Sequence, residues 1–209
     1  MIVLGLDTCL TACSVAVLDG ERVLASASET MARGHQERLA PMAQKVMGEA
    51  GIGFAALQRI GVTVGPGSFT GLRVGVAFAK GLASALDIPG VGVGTLEALA
   101  AGTDGLVFAV VDARRDQVYL QGFDAGRPLM APDAVAVEVA AARVAELSMG
   151  RAVTLVGSGA HLLAPVCPGA RVLAADGCDA RHVARIAAGK PLTPLRPLYL
   201  RAPDAKLPA

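Results

Sequence analysis

The chain opens with IVLGLD (residues 2–7), an apolar run that ends in one acidic residue. A short apolar run of this kind predicts a buried strand, here with Asp7 at its carboxyl end. Residues 13–18 predict a second strand, and the pair Asp19-Gly20 after it is a strong signal for a tight hairpin turn. Residues 22–28 then form the expected returning strand, so the chain begins with three consecutive strands.

Helices alternate with strands through the rest of the first half. Leu39, Met42 and Val46 recur at helical spacing and predict a helix over about residues 35–50. Pro41 falls in its second turn, which moves the expected start of the helix toward Leu39. The remaining elements are strands over residues 59–64 and 90–93 and helices over residues 70–86 and 95–101.

The second half repeats this plan in a shorter form. An apolar strand over residues 106–111 is followed by Asp112, and a strand over residues 117–123 leads to the turn at 124–126. A helix over residues 139–149, a strand over 152–157 and a helix over 180–188 are expected after it. We therefore divide the chain into an N-terminal subdomain, residues 1–102, and a smaller C-terminal subdomain with an extended tail, residues 103–209.

An apolar strand ending in an acidic residue and continued by a hairpin, present twice, predicts an α/β fold of the actin-like, ribonuclease H-like (ASKHA) class. That fold binds a nucleotide between two related domains, but a fold does not by itself give a function. One alternative is therefore an ATPase or kinase in which Asp7 and Asp112 hold a hydrated magnesium ion across the cleft. The other interpretation of Asp7 is that it bonds the loop over residues 8–13.

The most distinctive segment is GPGSFTGLRVG, residues 65–75, between a strand and a helix. Backbone N–H groups there could receive a phosphate, yet the segment matches neither the Walker loop nor the dinucleotide pattern. Gly71, Gly75 and Ala79 recur every four residues, so one face of the helix carries no large side chains. Another backbone can approach this face closely, and it belongs either to the chain's own sheet or to a helix of another subunit.

The sequence lacks the motifs that other enzyme classes require. The segment Gly65-Pro66-Gly67-Ser68-Phe69 does not match the G-x-S-x-G pattern of hydrolases, and the three histidines form no metal-binding pair. The 19 basic and 18 acidic residues give a net charge of +1, which does not favour a protein that holds nucleic acid through phosphates. Four cysteines without paired spacing and no long apolar run predict a reduced, cytoplasmic protein.

Four motifs together resemble the TsaB family, also called YeaZ: TVGPGSFTGLRVG (63–75), GLDT (5–8), GTLEALA (94–100) and YLRAPDAK (199–206). The resemblance implies a non-catalytic subunit that dimerises with and activates the catalytic paralogue TsaD, which transfers threonylcarbamoyl to adenosine 37 of tRNAs that read ANN codons. It also implies the ATPase TsaE as a partner and contact with tRNA only through the complex. No cofactor of its own is expected, since ATP and a metal act in the partner subunits.

The resemblance also suggests particular residues. In TsaD the helix that corresponds to residues 95–99 carries the His-x-x-x-His pair of the catalytic metal, whereas this chain has Thr95 and Leu99 there. Family members pair with TsaD through the first two helices. The predicted partner interface comprises Leu39, Met42, Val46, Gly71, Arg73, Gly75, Val76 and Lys80. A metalloprotease relative is a third hypothesis, and a homodimer of the isolated chain is left open.

Overall fold

Two β-sheets, one in each half of the chain, form the frame of the protein in the computed structural model, which describes residues 1–201. Residues 202–206 of the tail motif lie outside this range. The strands of the first sheet are β1 (Ile2–Asp7), β2 (Ala12–Asp19), β3 (Arg22–Thr30), β4 (Arg59–Thr63) and β5 (Gly90–Val93). They lie in the order β3-β2-β1-β4-β5, with an antiparallel hairpin series on one side of β1 and two parallel strands on the other.

The second sheet follows the same plan. Its strands are β6 (Leu106–Arg114), β7 (Gln117–Asp124), β8 (Arg127–Pro128), β9 (Asp133–Ala136), β10 (Val153–Val156) and β11 (Arg171–Leu173). Their order is β11-β10-β6-β7-β8, and β9 also pairs with β7. An antiparallel hairpin, β6-β7, is again extended by parallel strands beside its first member. The predicted duplication is therefore confirmed at the level of strand topology.

Helices cover both faces of the first sheet. The α-helices of residues 1–201 are α1 (His35–Glu49), α2 (Phe69–Leu86), α3 (Thr95–Ala100), α4 (Val137–Ser148), α5 (Ala160–Leu163) and α6 (Ala180–Gly189). Apolar residues of α1 and α2 pack with Leu4, Leu6 and Val62 on one face. On the other face α6 packs against β1, β2 and β4. It approaches closely because Gly5 and Gly61 lack a Cβ, which at Gly61 would lie 2.5 Å from the Ala187 Cβ.

Three features differ from the sequence prediction. The first helix begins at His35 and contains Pro41, which is tolerated because Pro41 lies on the exposed side, where water can satisfy the freed carbonyl. The strand expected to end at Asp112 runs on to Arg114. The last helix, which the sequence prediction assigned to the second subdomain, packs on the first sheet. For this helix, the structure contradicts the predicted boundary after residue 102. The short elements β8, β9, β11 and α5 gave too little pattern to predict.

The glycine face of α2 contacts the chain itself. A Cβ on Gly71 would collide with the carbonyl oxygen of Thr8, and one on Gly75 would lie 2.5 Å from Thr8 Oγ1. The Thr8 hydroxyl in turn donates a hydrogen bond to the Gly71 carbonyl at 2.8 Å. Ser68 caps the helix by accepting from the Gly71 N–H at 3.3 Å. The sequence left two alternatives for the close neighbour of this helix face, the chain's own sheet or a helix of another subunit. The neighbour belongs to the chain itself and is the loop that follows the sheet strand β1.

Gly71→Ala is expected to lower the free energy of unfolding by about 1–3 kcal/mol, because the added methyl overpacks the contact with Thr8. The matched control is Gly81→Ala in the same helix, where nothing lies within 4 Å of the added Cβ. That control should instead stabilise by about 0.5–1 kcal/mol, since alanine favours a helix interior. Urea unfolding of both variants measures the difference, and equal effects would contradict the close approach.

Candidate functional site

Asp7 is fully buried and is used by the fold. Its carboxylate accepts hydrogen bonds from Thr63 Oγ1 at 2.6 Å and from the backbone N–H groups of Cys178 at 2.8 Å and Cys9 at 3.1 Å. Burial raises the pKa of this carboxyl, and the three donors oppose that rise. The interpretation that Asp7 bonds its own loop is confirmed by the Cys9 contact, and Asp7 additionally joins β1 to β4 and to the segment before α6.

Asp112 lines a cleft of about 440 Å³ between the hairpin loops of the two halves, and the fully buried Asp7 does not. The Asp112 carboxylate accepts from the Arg114 N–H at 2.7 Å and forms an ion pair with the Arg114 side chain at 3.3 Å. The remaining polar lining includes Ser68 and Ser158. Within residues 1–201, no three His, Cys, Asp or Glu side chains are grouped so that they could hold a metal ion.

The other candidates for catalysis occupy structural positions. Thr95 and Leu99, which correspond to the histidine pair of TsaD, are both buried in the core. All four cysteines are free thiols, and burial raises the pKa of Cys13 to about 12 and that of Cys9 and Cys178 above its ordinary value. A thiol with a raised pKa is a poor nucleophile at neutral pH because the thiolate is the reactive form.

Most of the predicted interface residues are buried inside this chain. Six of the eight present almost no surface: Leu39, Met42, Val46, Gly71, Gly75 and Val76. An apolar stripe at helical spacing shows burial without showing what buries it: Leu39, Met42 and Val46 pack in the chain's own core, and Gly71 and Gly75 lie against Thr8. Contact of these six residues with a partner stays a prediction. Arg73 and Lys80 are exposed, and their contact with a partner stays a prediction.

A groove of about 490 Å³ lies between α1 and α2 on the outer surface of this helix pair. Its lining residues are Gln36, Leu39, Phe69, Thr70, Arg73, Val74, Ala77 and Phe78. Phe69 is 46% exposed and lies beside other apolar lining residues, so it belongs to an apolar patch and is not an isolated exposed side chain. Phe69, Ala77 and Phe78 were not predicted as groove residues. Phe69 and Ala77 lie four residues before and after Arg73, and this spacing, which puts the three on the side of α2 opposite the glycine face, was the available signal.

The C-terminal strap, residues 190–201, brings one further aromatic ring to this groove. Thr193 Oγ1 donates to the Gly92 carbonyl at 2.9 Å, and the Leu198 N–H donates to the Val64 carbonyl at 2.6 Å, so the strap follows the edge of the first sheet. Tyr199 then packs against Phe69 with ring centroids 5.6 Å apart. The strap thereby extends the surface formed by α1 and α2.

Arg73 contacts both of these aromatic residues. Its Cζ is 3.7 Å from the centroid of the Phe69 ring, and its Nε donates a hydrogen bond to Tyr199 Oη at 3.2 Å. Stacking and the hydrogen bond together fix the plane of the guanidinium group. The outer end of the groove is therefore an ordered aromatic and cationic platform.

No helix among the described residues combines the length and the apolar character needed to cross a bilayer. The groove has an apolar wall and a charged rim, as protein interfaces do.

Comparison with solved structures places the fold in the actin-like ASKHA class. The activator of 2-hydroxyisocaproyl-CoA dehydratase from Clostridium difficile, with bound ADPNP, matches with a TM-score of 0.54 at 14% identity over 90% of this chain and 94% of that chain. At this identity the likeness concerns the fold alone. YeaZ from Pseudomonas aeruginosa matches with a TM-score of 0.79 at 29% identity over 95% of this chain and 99% of that chain.

Sequence comparison then identifies the family. The family model for TsaD, tRNA N6-adenosine threonylcarbamoyltransferase, matches residues 23–156. An uncharacterized protein of Mycobacterium tuberculosis is 36% identical over 98% of this chain and 93% of its own length. The tRNA threonylcarbamoyladenosine biosynthesis protein TsaB of Bacillus subtilis is 38% identical over 57% of this chain and 53% of its own length, so that match spans about half of each protein. The chain belongs to the TsaB/YeaZ family.

Asp7→Asn is expected to lower the free energy of unfolding by about 1–3 kcal/mol at pH 7, because one carboxylate oxygen becomes an amide that cannot accept from its buried donor. The exposed Asp104→Asn is the control and should change stability by less than about 0.5 kcal/mol. If Asp7 instead served only to bind a metal, its replacement would leave the urea unfolding midpoint unchanged.

The difference in stability between wild type and Asp7→Asn is also expected to depend on pH. Because the pKa of Asp7 is raised on folding, its contribution to stability is largest below the unfolded pKa of about 3.9 and declines as pH rises through the folded pKa. The stability difference between wild type and Asp7→Asn should therefore shrink as pH rises in this window. Asp133 and Asp179, whose pKa values are lowered, occur in both proteins and cancel in the difference.

Proposed function

We propose that this chain is a non-catalytic partner subunit that dimerises with TsaD and activates it for threonylcarbamoyl transfer to adenosine 37 of tRNA. The observation that carries the proposal is the exposed groove between α1 and α2 in a member of a family whose curated relatives are named for tRNA threonylcarbamoyladenosine biosynthesis. A protein of this size with a large apolar groove and a charged rim fits a role in binding another protein.

The absence of usable catalytic groups supports the non-catalytic part of the proposal. Thr95 and Leu99 stand where TsaD carries its metal-binding histidines, and neither side chain is a metal ligand of the required kind. A solved Pseudomonas aeruginosa protein with a TM-score of 0.82 and 29% identity over 96% of this chain and 99% of that chain is described as similar to peptidase YEAZ. The protease interpretation has little support here, because no described nucleophile is both exposed and activated.

The proposal assigns the use of ATP and the metal, and most of the contact with tRNA, to the partner subunits. In this proposal ATP and the metal act in the partner subunits, TsaE docks on the complex in the cytoplasm, and tRNA is held chiefly by the other chains. The net charge of +1 supports this last point, since a protein that holds tRNA by itself needs an excess of cations to neutralise phosphates.

The alternative of an ATPase or kinase has weaker support. Its supporting observation is the cleft of about 440 Å³ between the two hairpin loops, at which Asp112 and Ser158 lie. Against it stands Asp7, whose carboxylate is buried and engaged by three donors.

A thermal-shift titration with ATP and magnesium separates the two functions. The partner-subunit proposal predicts no shift at micromolar ATP. A shift accompanied by turnover that Asp112→Asn abolishes would establish the enzyme instead.

The Ala77→Glu variant tests the groove as the docking site for TsaD. The exposed Ala77 lies on the groove wall, and a glutamate there would fill the groove and could pair with Arg73 one helical turn away, so it would block docking. We expect the affinity for purified TsaD to fall at least about tenfold, or about 1.4 kcal/mol, with an unchanged melting temperature. Transfer activity of the reconstituted complex should fall with it.

The matched control is Ala142→Glu, an exposed position on α4 in the second half of the chain. It makes the same chemical change away from the groove and should bind TsaD normally. Equal affinities for the two variants would contradict docking through the groove. Met42→Glu and Val76→Glu are unsuitable for this purpose, because both positions are buried and the variants would unfold.

A further inference from the structure

We propose that Arg73 is the anchor of the docking surface and that its Nη groups bind a carboxylate presented by the partner on an apolar helical face. The inference rests on the proposed function and adds the chemistry by which the partner is recognised. Phe69 and Tyr199 act as positioning residues that hold the guanidinium plane ready for this contact.

The first observation is the geometry of the guanidinium group. One of its faces is covered by the Phe69 ring, and its Nε is occupied by the Tyr199 hydroxyl. Among residues 1–201, no acceptor is bonded to either Nη of Arg73. An arginine fixed in this way presents the two parallel donors that a carboxylate accepts in bidentate geometry.

The second observation is the charge of the helix pair. Between residues 69 and 86, α2 carries Arg73 and Lys80 and not a single acidic residue. The exposed cations of α1 differ, since Arg38 pairs with Glu29 at 2.6 Å and Lys45 lies 3.8 Å from Glu49. The positive charge of α2 is therefore the part of this surface that the described chain leaves unneutralised, and it is complementary to an acidic partner.

The third observation is the apolar setting. Arg73 lies at the groove that Val74, Ala77 and Phe78 line, so a partner helix seated there would exclude water from the guanidinium. A charge-assisted pair gains strength when water is removed, and arginine framed by aromatic rings is typical of the residues that dominate binding energy. The partner must supply the carboxylate, because an arginine buried without a counter-charge would weaken the complex.

A second copy of this chain is the competing occupant. In a two-fold dimer whose axis brings α2 against α2, the facing helix also lacks acidic residues between 69 and 86. The charge pattern thus favours a different protein with an acidic face.

The test compares full-length variants for binding to purified TsaD at low and high salt. Arg73→Met should lose at least tenfold in affinity and reduce the salt dependence of Kd, because a charge pair is removed. Arg73→Lys should recover little of the loss, since lysine cannot form the two-pronged contact. Tyr199→Phe keeps the ring but removes the acceptor for Nε, and we expect a loss of a few-fold with the salt dependence retained.

Arg171→Met on the exposed surface of β11 is the control, with affinity expected to stay within twofold of wild type. If wild type binds TsaD and Arg73→Met binds equally well, the inference is wrong and the proposed function stands. Failure of wild type to bind TsaD at all would overturn the proposed function. Sedimentation that shows self-association of wild type, abolished in Arg73→Met while TsaD affinity is unchanged, would make a second copy the occupant and overturn the inference.

Discussion

The buried carboxylate of Asp7 is the interaction on which the rest of the structure depends. It lies at the end of the central strand β1 and binds donors from β4 and from the segment that leads into α6, 171 residues away in sequence for Cys178. A buried carboxylate is stable only when its oxygens are hydrogen-bonded, so these partners must be in place together. The C-terminal helix is thereby held to the N-terminal sheet, and the two ends of the chain form one packed unit.

The position of α2 follows from the residue next to Asp7. Thr8 contacts Gly71 and Gly75, and its hydroxyl donates to the Gly71 carbonyl. Because only glycine allows this approach, the inner face of α2 is committed to the loop after β1. The opposite side of the helix, with Phe69, Arg73 and Ala77, is then turned outward and forms the wall of the groove. One side of α2 therefore packs inside the fold, and the opposite side forms the proposed docking surface.

The acidic residues that end the first strand of each half are both engaged within this chain. Asp7 accepts internal hydrogen bonds, and Asp112 is bonded within its own hairpin. In the proposed function, the working surface lies on the helices beside the cleft. The C-terminal strap contributes Tyr199 to this helix surface, so residues far apart in the sequence meet beside the groove.

The sequence by itself determined the elements whose patterns are local. Apolar runs and the Asp19-Gly20 turn predicted the strands of the first sheet, and the four-residue spacing of Gly71 and Gly75 predicted a close approach along α2. Of the residues that line the groove, it identified Leu39 and Arg73. The sequence also showed directly that residues 95 and 99 are not histidines. The identity of a residue is enough to exclude a histidine ligand at its position, without any knowledge of its neighbours.

Only the tertiary structure decided which surfaces these elements share. Periodicity along α1 and α2 showed that Leu39 and Val46 are buried, but their burial against the chain's own sheet depends on contacts far apart in sequence. The same holds for α6, whose sequence position lies in the second half and whose packing partner lies in the first. Tyr199 reaches Arg73 across 126 residues. A one-dimensional pattern records whether a side chain avoids water, and it cannot record which distant segment covers it.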